Sequence, residues 1–280
     1  MSIGQNLESG NMRRMINERD NAVKALEGRG VSVIIPCFEQ QEWLFDALLS
    51  VTEQTVLPLE IIVVDDGSRE PIRLPGGNRE TYAPYTMRVI RVANRGLPSA
   101  RNVGLMNAHG HAILPLDADD WLEPTFIEKT LPLLDAGADV VFTGLQEHGE
   151  RTGTYMPGCD LGLDGLTVEA ERLSNRLFYC SLISTSLLKE AGGWNGRMIN
   201  GYEDWDLWID LMQRGAKLAG VDEPLFNYRT RKDSMLADTE ANWRDWCFDE
   251  MARHHGYPRP QPLDRSPQAR RNRQVGRRNR

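Results

Sequence analysis

The chain has 280 residues, 40% hydrophobic and 26% charged, a balance that suits a soluble globular protein of one large domain or two small ones. No apolar run approaches the roughly 20 residues that a membrane span needs, and the N-terminal MSIGQNLESGNMRRM lacks the apolar centre of a signal peptide, so a cytoplasmic protein is expected. The net charge of −7 is uneven, because residues 259–280 carry eight Arg against one Asp and leave −14 on the rest.

Residues 1–30 place Met12, Met15, Ile16, Val23 and Leu26 at near-helical spacing, which predicts an amphipathic extension ending at Gly28. VSVIIP is a short buried strand, QEWLFDALLSVTEQT has helical periodicity through Trp43, Leu44, Ala47, Leu48 and Val51, and LEIIVV is a second strand. The Pro- and Gly-rich segment Arg69 to Tyr85 reads as a loop, MRVIRV as a third strand, and LPSARNVGLMNAHG as a helix with Pro98 near its start. The strand HAILPL, a helix from Pro124 to about Ala136 and the strand ADVVF follow. Strands alternating with such helices predict a mostly parallel, Rossmann-like α/β sheet covered on both faces.

Past Gly144 the alternation weakens. Residues 145 to 166 read as a hairpin or loop excursion, and Val168 to Leu173 and Ser186 to Glu190 as short helices around the apolar LFYCSLIS. EDWDLWIDLMQRG is an amphipathic helix stopped by Gly215, and KLAGV, LFNYR and a helix near Ala241 to His254 complete the fold. The expected organisation is an N-terminal helical extension over 1–30, a ligand-binding half over 31–144, a smaller second half over 145–236, a C-terminal helix over 237–258 and a basic disordered tail over 259–280.

Three polar clusters follow strands directly: Cys37 to Glu39, Asp65 to Ser68, and Asp117 to Asp120. In an open α/β sheet they fall in the crevice beyond the carboxyl ends of the strands, where ligands bind. The last cluster sits in HAILPLDADDW, where a buried strand runs into Asp117, Asp119 and Asp120. Such an Asp-x-Asp pair offers hard oxygen ligands for Mg²⁺ or Mn²⁺ carrying a phosphate-bearing substrate. An EF-hand loop fails here because Leu122 stands where its sixth position needs Gly. Asp119 or Asp120 alone is also suited to capping the next helix.

Phe38 offers an aromatic face to a base, and Asp65 a carboxylate to a base imide or ribose hydroxyl. Arg101 is placed to pair with Asp65 or Asp117 and relieve the repulsion among the acids, or to contact the substrate directly. Glu203 and Asp204 open the Trp-rich helix, either as caps favoured by the helix dipole or as acids held over the crevice. Trp194, Tyr202 and Trp205 are candidates for a sugar platform or for core packing. Arg229, Arg231 and Ser234 are suited to closing over a pyrophosphate, or to solvated charge. The five histidines and four cysteines show no ligand spacing, so neither a zinc site nor a disulfide framework is expected.

The blocks SVIIPCFEQ, EIIVVDDGS, NRGLPSARNVGL, LPLDADDW, GGWNGRMINGYEDWDLWIDL and NYRTRKDSM resemble, in order and approximate spacing, the glycosyltransferase family 2 enzymes with the GT-A fold. The resemblance covers roughly Val31 to Met235. It implies an inverting transferase that moves a sugar from a nucleoside diphosphate donor to a hydroxyl on a glycan, lipid-linked or protein acceptor. Pro36, Phe38, Glu39 and Asp65 would hold the nucleoside, although the family usually has Tyr-Asn where Phe38 and Glu39 stand here. Asp117 would contact the ribose or sugar, Asp119 would coordinate Mn²⁺ or Mg²⁺, and Asp204, with Glu203 as its understudy, would be the general base. The basic tail suits peripheral contact with acidic lipid at the inner face of a membrane or remains solvated, and no specific nucleic-acid partner is expected. Rival classes are a sugar-phosphate nucleotidyltransferase, which would need a Gly-rich loop that IIPCFEQQEW lacks, and an inactive nucleotide- or sugar-binding module.

Overall fold

The computed structural model describes residues 29–74, 79–82, 85–156 and 165–259. The expected N-terminal helix and nearly all of the basic tail lie outside these residues. Among the described residues ten strands form one sheet. Its first half comprises β1 (Val31–Cys37), β2 (Glu60–Asp65), β4 (Tyr85–Arg91) and β5 (Ala112–Pro115), which run parallel in the order β4-β2-β1-β5. β1, β2 and β5 are fully buried and rich in Val, Ile and Leu, as strands covered on both faces require, while β4 (YTMRVIR) is mostly half-buried.

Helices cover the two faces. On one, Val33 and Ile35 of β1 pack with Leu44, Ala47 and Val51 of α1 (Gln41–Thr52) and with Phe126, Ile127 and Leu134 of α3 (Phe126–Asp135). On the other, Ile34, Ile62 and Val64 meet Ala100 and Leu105 of α2 (Leu97–Asn107) and Leu207, Trp208 and Leu211 of a later helix, α6 (Glu203–Gln213). A Cβ on Gly104 would stand 2.3 Å from Ile34 Cγ2, so glycine is what lets α2 lie this close to β1.

The second half extends the same sheet. β7 (Val140–Gly149) and β10 (Leu218–Thr230) run parallel, and β9 (Leu182–Ser184) joins them to β5 by antiparallel pairing on both of its edges. The boundary expected at residue 144 therefore falls inside β7. KLAGV and LFNYR are two ends of β10, separated by a register shift between Val221 and Phe226 that includes Pro224, a residue without a ladder donor. β8 (Gly153–Tyr155) pairs with β7 as the hairpin expected there, and β6 (Trp121–Leu122) pairs with β10.

The loop expected from Arg69 to Tyr85 contains a strand, β3 (Arg79–Tyr82), antiparallel to β4; its pairing comes from a neighbour, which a composition rich in Pro and Gly does not show. The helix expected to open at Pro124 instead begins at Phe126, after Thr125 as its N-cap residue. Short helices α4 (Val168–Leu173) and α5 (Thr185–Glu190) flank the apolar segment. After β10, α7 (Met235–Asp238) and a π turn over Thr239–Trp243 lead into α8 (Arg244–His255), which packs on α6 through Ile209, Cys247 and Met251. The described cysteines, Cys37, Cys180 and Cys247, are free and buried. No helix among the described residues is long and apolar enough to cross a membrane.

Candidate active site

Register fixes where the clusters lie. Cys37 pairs with Asp65, and Ile34 with Pro115, so the loops after β1, β2 and β5 leave the sheet side by side. They open into a cavity of about 780 Å³, lined on this side by Pro36, Phe38, Asp66, Asp117 and Asp119. The lining also includes Glu203, Asp204 and Trp205 from α6, Arg231 after β10, and Arg244 and Phe248 from α8. Residues from 36 to 248 thus meet across one space.

The acids are held by a buried cation. Arg101 of α2 has no solvent exposure; its Nη2 donates to Asp117 Oδ1 at 2.7 Å and its Nη1 to Glu203 Oε1 at 2.5 Å. The guanidinium also lies 4.9 Å from the centre of the Tyr179 ring. Of the two partners expected for Arg101, it takes Asp117. Asp65 is held elsewhere: it accepts from Ser68 N, Ile72 N and Arg91 Nη1, is fully buried and does not line the cavity. Asp65, expected at the nucleoside, thus has its oxygens engaged in the turn after β2 and lies behind the cavity wall. Asp66 lines the cavity in its place, accepting from Arg95 N and Gly96 N. Glu39 likewise turns from the cavity: at φ 54 it sends its carboxylate to Arg69 N at 2.7 Å and leaves the wall to Phe38.

The Asp-x-Asp segment is fastened from three sides. The Tyr179 hydroxyl accepts from Asp117 N at 2.9 Å and donates to Asp120 Oδ2 at 2.6 Å, while Asp120 Oδ1 takes Arg229 N. Asp120 is a support, and burial raises its carboxyl well above the ordinary value. Asp119 faces the cavity, with Oδ2 3.0 Å from Arg231 Nη2 and 3.3 Å from Gln40 Nε2. Burial, with repulsion from Asp117, pushes its carboxyl up to about 6.

Arg229 is placed differently from Arg231. Its guanidinium is sandwiched 4.2 Å from the Trp43 ring and 4.9 Å from the Trp121 ring, and donates to Asp119 O and Asp46 Oδ2. These contacts lock the loop below Asp119 and leave Arg231 as the cation on the acid itself. Ser234 caps α7 by accepting from Ala237 N.

Across the cavity, α6 begins after Gly201 and Tyr202, whose positive φ values of 112 and 59 turn the chain sharply into the helix. A left-handed Tyr is uncommon; here its ring packs edge-on to Trp205 and its hydroxyl bonds Glu240. The turn directs Glu203 inward to Arg101 and Asp204 to the cavity, where Oδ2 accepts from Asn175 Nδ2 at 3.0 Å. Burial raises the Asp204 carboxyl above its ordinary value, and Asn175 opposes the rise. Trp194 is core, and Trp205 is nearly so, donating from Nε1 to Glu171 O; Tyr202 and Trp205 both line the cavity.

Sequence reasoning missed Tyr179, Asn175, Gln40 and Asp66. Tyr179 lies in LFYCSLIS, where its ring obeys the apolar pattern and its hydroxyl gives no periodic signal. Asp66 and Asp65 are adjacent, and the hydrogen bonds that decide which one faces the ligand come from the chain 30 residues on.

Residues 32–191, more than half of the chain, match the Glycosyl transferase family 2 model. The chain belongs to this family and is a glycosyltransferase enzyme with the GT-A fold. It is 26% identical over 237 residues to the uncharacterized glycosyltransferase YwdF of Bacillus subtilis, covering 81% of this chain and 84% of that one. It is 26% identical over 234 residues to the putative teichuronic acid biosynthesis glycosyltransferase TuaG of the same organism, covering 80% and 89%. Matches to longer relatives are partial: with Streptococcus pneumoniae GlyA, 29% identical, the alignment spans 81% of this chain and 35% of GlyA. Among solved structures, S. aureus TarS residues 1–349 in complex with UDP-GlcNAc superposes with a TM-score of 0.58 at 19% identity, over 74% of this chain and 60% of that one.

Proposed function

We propose that the cavity binds a nucleoside diphosphate sugar and passes its sugar, with inversion, to a hydroxyl of a glycan, lipid-linked or protein acceptor. The observation that carries this reading is the Arg101 bridge: one buried guanidinium joins Asp117 of the strand-end acids to Glu203, the neighbour of Asp204. On this reading the bridge ties a phosphate-side acid cluster to the helix that carries the candidate base, around one cavity. Residues 31–144 supply the donor side and residues 145–236 the acceptor side.

The donor side fits a divalent cation. Asp119 is a buried acid pushed up to about 6, the state of a carboxylate short of positive charge, and Mg²⁺ or Mn²⁺ ordinarily takes one or two carboxylates with substrate phosphates completing the shell. Asp119 would hold that ion with Asp117 beside it. When bound it supplies charge neutralisation of the leaving diphosphate. Arg231, which the ion would displace from Asp119, is then free to turn to a phosphate oxygen. Phe38 and Pro36 flank the base and Asp66 accepts from it or from the ribose; TarS, structurally similar, was solved with UDP and UDP-GlcNAc, which favours a uridine donor here.

Asp204 removes the acceptor proton as the acceptor oxygen bonds the anomeric carbon and the bond from that carbon to the phosphate oxygen breaks. The electron pair leaves on the diphosphate. A carboxyl raised by burial is the stronger base for that work, with a contribution of about 10²-fold to 10⁴-fold. Glu203, neutralised by Arg101, positions it. The Arg-rich tail is suited to acidic headgroups where the acceptor is lipid-linked.

The test is incubation of the full chain with UDP-sugars and Mn²⁺, with and without candidate acceptors, read by mass spectrometry for released UDP and by NMR for the anomer formed. Slow release of UDP and free sugar of inverted configuration supports the reading. Absence of turnover with every donor, or retained configuration, contradicts it.

A further inference from the structure

Three ligand-type side chains meet behind the cavity wall. Asp206 follows Asp204 by two residues, a rotation of about 200° around a helix, so it faces away from the cavity and toward the end of α8. There His254 Nδ1 lies 3.0 Å from Asp206 Oδ2, and His255 Nε2 lies 3.0 Å from Asp206 Oδ1. One donor atom from each residue lies within 4.8 Å of the other two. Zinc with tetrahedral ligands at about 2.0–2.1 Å sets neighbouring donors roughly 3.3 Å apart, close to these separations.

One observation favours a cation over a plain hydrogen-bonded cluster. The Asp206 side chain is 1% exposed, and its ion-pair partners among the described residues are these two imidazoles, with no Lys or Arg at pairing distance. A carboxylate buried so deeply calls for positive charge.

We propose that Asp206, His254 and His255 bind one Zn²⁺ ion that fastens the end of α8 to the first turn of α6. Two imidazoles and a carboxylate form a donor set that suits zinc. The fourth position opens on the side of His254, whose side chain is 41% exposed, while His255 is sealed at 2%. Arg244 and Phe248 of α8 line the cavity, so a clip at the far end of that helix steadies one cavity wall without touching the sugar.

The test uses the full chain without a polyhistidine tag, stripped with chelator and dialysed against Zn²⁺, with bound metal measured by elemental mass spectrometry. Co²⁺ replaces Zn²⁺ in parallel, and the visible absorption of four-coordinate cobalt is recorded. The parent and Asp119→Ala are expected to bind one Zn²⁺ per chain. His254→Gln, altered at a half-exposed position and checked for folding by circular dichroism, should bind at least about tenfold more weakly. Zn²⁺ should raise the Tm of the parent and not that of His254→Gln or His255→Gln. No zinc on the parent, zinc retained by His254→Gln within that factor, or zinc lost in Asp119→Ala alone overturns the proposal.

Discussion

Arg101 Nη1 lies 2.5 Å from Glu203 Oε1, joining residues 102 positions apart, while Nη2 of the same guanidinium holds Asp117 at 2.7 Å. A fully buried cation between two acids is costly to remove, because its loss leaves both uncompensated. Arg101→Met is expected to destabilise the fold by about 3–5 kcal/mol in urea unfolding. Adding Glu203→Leu should recover part of the loss, since it removes one of the stranded charges.

The two acids that open α6 have different tasks. Asp204→Asn should lower turnover by about 10²-fold to 10⁴-fold at unchanged stability, the range for loss of a positioned base. Glu203→Gln keeps the volume and hydrogen-bonding shape beside Arg101, so its fall in turnover should be the smaller one and should come with a measurable loss of stability. Steady-state kinetics with parallel unfolding curves separate the two.

Tyr179 has a single hydroxyl serving two partners of the Asp-x-Asp segment, Asp117 N and Asp120 Oδ2. Tyr179→Phe leaves a buried donor and a buried acceptor unmatched, at an expected cost of about 1–3 kcal/mol or more. Its effect on turnover should track the loosening of Asp117, seen as a raised KM for donor.

Much of this arrangement was legible in the sequence, for identifiable reasons. The parallel half announced itself because strands buried on both faces must be unbroken runs of Val, Ile and Leu, and polar residues directly after such runs can only lie at one sheet edge. Asp117 and Asp119 were placed at that edge in this way, whereas Asp204 was singled out from its position at the start of the Trp-rich helix and from the family resemblance. The hydrogen bonding of Asp65 was not legible, because a carboxylate after a strand serves a turn as well as a ligand, and its donors Ile72 N and Arg91 depend on how the next loop folds. The ring contacts of Arg229 were not legible either, because Trp43 and Trp121 lie more than 100 residues away. Non-local partners of this kind leave no periodicity.

Glu171 of α4 gives the fold a pH signature. Burial, with Asp204 adding repulsion and Arg176 N opposing, pushes its carboxyl up from 4.5 to about 8. The folded chain therefore keeps a proton that the unfolded chain releases. The stability from this group is fully present below about 4.5 and is lost as pH rises through about 8. Glu171→Gln should flatten that decline and, near pH 9, be more stable than the parent by on the order of 1–3 kcal/mol, less than the full shift implies because the folded chain relaxes around the charge. Urea unfolding of both proteins near pH 6 and pH 9 measures the difference.

The central claim is that Asp119 serves the donor and Asp204 the acceptor across one cavity. Isothermal titration of the nucleoside diphosphate, with and without Mn²⁺, tests it on the parent, Asp119→Ala and Asp204→Asn. The account predicts Mn²⁺-dependent binding that disappears in Asp119→Ala and survives intact in Asp204→Asn. Equal loss in both variants, or undiminished Mn²⁺-dependent binding in Asp119→Ala, would contradict it.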